Sequence, residues 1–64
     1  MTERQITFTV QLDAKHAWAF AQFLKRVGFN DYRPLAVDVD EAYLMVEAGE
    51  AIRTELRAVG YAPR

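Results

Sequence analysis

The apolar positions of this chain fall into stretches of different period. In residues 5–12, QITFTVQL, Ile6, Phe8, Val10 and Leu12 alternate strictly with Gln5, Thr7, Thr9 and Gln11. Period two with β-branched and aromatic residues predicts a half-buried strand. It is the only clear strand in the sequence, and a lone strand leaves a row of backbone N–H and C=O groups without partners. Pairing with the same strand of a second chain, antiparallel across a twofold axis, would satisfy them and make Ile6, Phe8, Val10 and Leu12 the dimer strand.

The stretch Asp13 to Gly28, DAKHAWAFAQFLKRVG, changes to a helical period. Asp13 has the chemistry of an N-cap, Leu12 and Ala17 sit at hydrophobic-staple positions, and Gly28 suits a left-handed C-terminal cap. Lys25 and Arg26 fall in the last turn, where cations complement the helix dipole. At about 100° per residue, Ala17, Phe20, Ala21, Phe23, Leu24 and Val27 form an apolar arc wider than one neighbour needs. Trp18 lies outside that arc among Lys15, Gln22 and Lys25, and a large aromatic on a polar face often marks a contact. The plainer reading sets Trp18 over its own helix or under the C-terminal tail.

Residues 29–37, FNDYRPLAV, read as a long connection, because Pro34 excludes a helix interior and Asn30-Asp31 is turn chemistry. Leu35 and Val37 are expected to tuck under the core, and a short second strand over 33–37 is an option. A second helix begins near Asp38, which with Glu41 makes a capping-box-like pair, with Val37 and Ala42 at staple positions. Ala42, Met45, Gly49, Ile52, Leu56 and Val59 recur at helical spacing, and Gly49 on that stripe implies a close helix–helix approach. Gly60 and Pro63 stop the helix. The predicted order is strand 5–12, helix 13–27, loop 28–37 and helix 38–60: one domain of the α+β class, mostly α, in a β-α-α layout with strands paired across a homodimer.

Length sharpens the dimer expectation. A chain of 64 residues buries only about 60% of its unfolded surface, and small domains need disulfides, a metal or oligomerisation. With no Cys and one His, oligomerisation is the remedy left. A formal net charge of −1 argues against non-specific binding to nucleic acid or membrane surfaces. MTERQITF lacks the apolar core of a signal peptide, and no apolar run is long enough to span a bilayer. A cytoplasmic bacterial-type protein is expected.

Candidate chemistry is sparse. There is no Ser and no Cys, so the usual nucleophiles are missing. His16 would serve as a general base or pH switch, or, more plainly, as a His at the edge of the core with its tip in water. Asp38, Asp40 and Glu41 lack the glycine and oxygen spacing of a calcium loop, and helix capping accounts for them. Gly28, Gly49 and Gly60 are isolated and form no phosphate loop. No catalytic residue, cofactor, metal or small-molecule ligand is expected. The one basic-aromatic cluster is Lys25, Arg26, Phe29, Tyr32 and Arg33, which with Trp18 makes the candidate partner contact; its plain alternative is dipole compensation beside a solvated loop.

Strand, helix, helix is similar to the order of the ribbon-helix-helix DNA-binding proteins, whose paired strands read the major groove. That resemblance implies a DNA-binding regulator with Gln5, Thr7, Thr9 and Gln11 as base contacts. The outward strand face carries no Lys or Arg, and the connection holding Pro34 is longer than that family's turn. The wording LDAKHAWAFAQFLKRVGFNDYRPLAV…DEAYLM…GYAPR resembles, over the whole chain, a family of short proteobacterial proteins of unknown function found on plasmids and prophages. The expectation is a non-enzymatic homodimer acting by protein–protein contact, an accessory, regulatory or inhibitory protein of a mobile element.

Overall fold

A computed structural model describes residues 4–64, so the first three residues of MTERQITF lie outside it. Three α-helices and a 3-10 turn follow one another: α1 is Ala14–Arg26, α2 is Phe29–Tyr32, the 3-10 turn is Arg33–Leu35, and α3 is Val39–Ala58. Among the described residues there is no strand, so the β-α-α layout and the α+β class are overturned in favour of an all-helical fold. Residues 4–12 form an arm outside any helix or ladder, and none of the described backbone bonds outside the helices involves them. The alternation of Ile6, Phe8, Val10 and Leu12 is real, but period two records only which side chains share a side. A strand also needs a backbone partner, and α1 and α3 satisfy their own amides internally. The ribbon-helix-helix likeness, in which this strand came first, therefore does not describe the fold.

The connection predicted over 28–37 is more ordered than its composition suggested, and it holds no second strand. Gly28 is extended, not left-handed, and opens α2, where its N–H donates to Asp31 Oδ2 at 2.8 Å. Pro34 falls early in the 3-10 turn, where a missing N–H costs nothing. Leu35 and Val37 do not tuck under the core; they are 78% and 84% exposed.

The caps divide in the same way. Asp38 Oδ1 accepts from Glu41 N–H at 2.8 Å, and Glu41 Oε1 accepts from Val37 N–H at 2.8 Å, which is the predicted pair reaching one residue further back. Asp13 precedes α1 but accepts no backbone amide; its Oδ2 lies 3.5 Å from His16 Nδ1 instead. Gly60, at φ 101°, ends α3: Tyr61 N–H bonds Leu56 C=O at 2.8 Å and Gly60 N–H bonds Arg57 C=O at 3.0 Å. That pair of bonds is a Schellman turn, which turns Tyr61 back toward the helix.

The core lies where α1 meets α3, and it is made of small side chains: Ala17, Ala21 and Leu24 from α1, and Ala42 from α3, are the buried apolar residues. Gly49 of α3 lies beside it, under Tyr32 of α2. A Cβ there would overlap the Tyr32 hydroxyl and stand 3.5 Å from Tyr32 Cζ and 3.6 Å from Leu24 Cδ2. The molecule is correspondingly thin, with extents of 34 × 27 × 16 Å. Its radius of gyration is 13.0 Å, against about 11 Å for a compact chain of this length.

Gly49→Ala gains about 1 kcal/mol of helix propensity but meets the Tyr32 hydroxyl, and overpacking of this kind costs about 1–3 kcal/mol. Urea melts should show Gly49→Ala destabilising the wild-type chain, and the same substitution neutral or stabilising in a Tyr32→Phe background. A Gly49→Ala gain in the wild-type chain would refute the close approach.

Candidate interaction surface

Because the α1–α3 contact uses small residues, the large ones lie on its rim. Phe20 and Phe23 of α1 belong to the broad arc read from the sequence, yet they are 40% and 51% exposed. Their rings stack on each other, with centroids 5.5 Å apart and planes 12° from parallel. Two apolar aromatics stacked on one another at this exposure form an apolar patch. On α3 two apolar stripes interleave. Ala42, Met45, Gly49 and Leu56 turn inward, while Leu44, Ala48, Ala51, Ile52 and Val59 are exposed. The single stripe read from the sequence merged these, assigning Ile52 and Val59 to the core.

Phe20 and the outward stripe of α3 face the N-terminal arm across a groove of about 810 Å³. The arm supplies one wall, from Ile6 to Val10 with Leu12; Phe20, Ala51, Ile52, Leu56 and Val59 supply the other, with Glu55 as the one charged residue. Exposure along the arm falls from 77% at Ile6 to 51% at Leu12, so the arm is least covered at the end furthest from α1. Of the four positions considered for DNA contact, Thr7 and Thr9 border this groove, and Gln5 and Gln11 are exposed on the same arm. Behind Phe23 lies a shallower hollow bounded by Ala19, Phe23, Arg26, Val27 and Asp31.

The basic-aromatic cluster does not form one patch. Phe29 packs on Tyr43, ring centroids 4.7 Å apart. Tyr32 fills the space over Gly49, and Arg33 Nη1 donates to Ala36 C=O at 3.4 Å. These three are half-buried and serve the fold, whereas Lys25 and Arg26 remain exposed. Trp18 meets Tyr61 edge-on, centroids 6.1 Å apart and planes at 60°, and stays 44% exposed. It thus lies against the C-terminal tail while keeping an open edge. Trp18 and Lys25, seven residues apart, share a side of α1 roughly opposite Phe20 and Phe23.

Polar candidates for chemistry are dispersed. His16 is exposed beside Asp13 on the first turn of α1. Asp38 and Glu41 are engaged in capping α3. Among the described residues no three His, Asp or Glu side chains gather in a way that could hold a metal ion, and no helix is long and apolar enough to cross a membrane.

The chain belongs to DUF7706, a family of unknown function, which matches residues 1–64. No curated protein and no solved structure matches it.

The Trp18–Tyr61 contact depends on the turn at Gly60. Tyr61→Ala should expose Trp18 further, shifting its fluorescence to the red and costing about 0.5–1.5 kcal/mol for the aromatic pair. Trp18→Ala should leave the helical circular dichroism nearly unchanged and cost less than the about 3–5 kcal/mol of a core Trp. Unchanged emission in Tyr61→Ala would refute the contact.

Proposed function

We propose that this protein is a non-enzymatic interaction module that works as a homodimer, the dimer closing over the apolar side of α1 and α3 and the arm. The observation that carries the reading is the uncovered apolar surface of the arm, α1 and α3. The chain exposes 5651 Å², where a compact monomer of its size exposes about 4,200 Å². A standard interface takes about 800 Å² from each partner, so the surplus is ample for one. Helical domains bury their apolar stripes by stacking two layers, and a second copy brings a second layer with matching residues. The groove walls carry one charge, Glu55, which suits the depletion of charge at the centre of a homodimer interface.

The side of α1 bearing Trp18 and Lys25 stays outside this dimer and is the surface offered to a different protein. A cytoplasmic accessory, regulatory or inhibitory role on a mobile element fits a short chain that acts by contact alone. A DNA-reading role has less support, since the four candidate positions lie on an unpaired arm without Lys or Arg among residues 5–12.

Sedimentation at micromolar concentration should give a dimer, and the melting temperature should rise with protein concentration, as mass action requires. Phe23→Asp, at a position exposed within the single chain, should shift the protein to monomer. A stable, fully folded wild-type monomer at that concentration overturns the reading. Salt-sensitive, sequence-specific DNA binding at physiological ionic strength would favour the DNA reading instead.

A further inference from the structure

The groove between arm and helices has two largely apolar walls, with Thr7 and Thr9 in that of the arm and Glu55 in that of the helices. Both belong to one chain, both are wet, and the arm is most exposed where it is furthest from α1. A hydrophobic segment able to fold down on its own helices would have closed that gap, because burial of each Ile, Phe, Val or Leu side chain is favourable. The joint explains why it does not. Leu12 is followed at once by Asp13, extended at φ −61° and ψ 155°, and α1 starts at Ala14. Asp13 alone lies between Leu12 and α1, and no turn bond folds the arm back there. A short joint without a turn favours exchange of a segment between copies over closure within one.

We infer that the arm is exchanged: residues 4–12 of each protomer lie along the α1–α3 face of a second copy, with Phe8 and Val10 seated against the partner's side of the groove. This rests on the dimer proposed above and specifies how it is built. Length supports it. Nine residues reach about 30 Å at full extension, and a helix of 20 residues, the length of α3, is about 30 Å long. One arm can therefore run the length of the outward stripe of α3, from Leu44 to Val59. Chemistry supports it as well. The arm residues 4–12 carry a single charge, Arg4, while Glu55 is the one charge of the opposite wall. Exchange also removes the exposed arm from solvent in both chains at once, whereas a dimer made through Phe20 and Phe23 alone would leave both arms wet.

The absence of Cys allows a clean test on the full chain. Val10→Cys and Ile52→Cys are introduced together, dimer formation is established by sedimentation, and the protein is then oxidised. Exchange predicts a covalent species of twice the chain mass on a non-reducing gel, with neither single substitution giving it at comparable yield. Phe8→Cys with Val59→Cys, a pair further from the joint, guards against a local misfit and should behave alike. A dimer by sedimentation whose disulfides all close within single chains overturns exchange and leaves the dimer standing. A dimer in which neither pair oxidises also overturns it, as does cross-linking by Val10→Cys alone, which would mean that arms meet arms. A monomer by sedimentation removes the dimer itself, and exchange with it.

Discussion

The seat of the Tyr32 ring of α2 on Gly49 of α3, beside Leu24 of α1, is the constraint on which the rest of the structure depends. Tyr32 reaches over the backbone of α3 only because no Cβ stands there, and Leu24 fits beneath it. The contact of α1 with α3 is made mostly by small side chains, and the buried centre is Ala17, Ala21, Leu24 and Ala42. The consequence is a core of little volume. Burial stabilises in rough proportion to the apolar area removed from water, about 25 cal/mol per Å², and three alanines and one leucine remove little. The close contact thus specifies the helix pair more strongly than it stabilises it.

What is excluded from that centre accumulates at its edge. Phe20 and Phe23, Ile52 and Val59, and the apolar residues of the arm are all of core character, and all are exposed. Isolated exposed apolar residues need no explanation, but a contiguous set on one side of a thin molecule does. The same geometry accounts for α2 and the 3-10 turn. Their work is to carry Tyr32 onto Gly49 and Phe29 onto Tyr43, which is why the aromatic members of the basic cluster turn inward while Lys25 and Arg26 do not.

Features set by local chemistry were legible in the sequence. Both long helices, the capping role of Asp38 with Glu41 and the stop at Gly60 follow from residue type and helical spacing, and Gly49 marks a tight contact, though with the Tyr32 side chain of α2 and not with a helix backbone as its place on the stripe implied. The apolar arc on α1 was legible in part: Ala17, Ala21 and Leu24 are buried, whereas Phe20 and Phe23 of the same arc are exposed. Features that depend on what the chain meets in space were not. Alternation in QITFTVQL specifies a side, and only a partner backbone makes it a strand. Asp13 and Gly28 have the chemistry of caps, yet Asp13 faces His16, and Gly28 opens the next helix instead of closing the last. On α3 the inward and outward stripes interleave, and periodicity alone could not separate Ile52 from Leu56, since both lie near the boundary of the face that α1 covers.

The exposed stripe also bears on how folding and association relate under the proposed dimer. Much of the large apolar surface then lies between chains, not within one, so the helix pair gains much of its stability only after meeting its partner. Such a chain folds and assembles in one step or nearly so, and its stability is inseparable from its concentration. Trp18 is the exception. It is held by Tyr61 within a single chain, through the turn at Gly60, and on the opposite side from Phe20 and Phe23. Under the proposed dimer, the contact that positions Trp18 therefore does not compete with the surface that the second copy would cover.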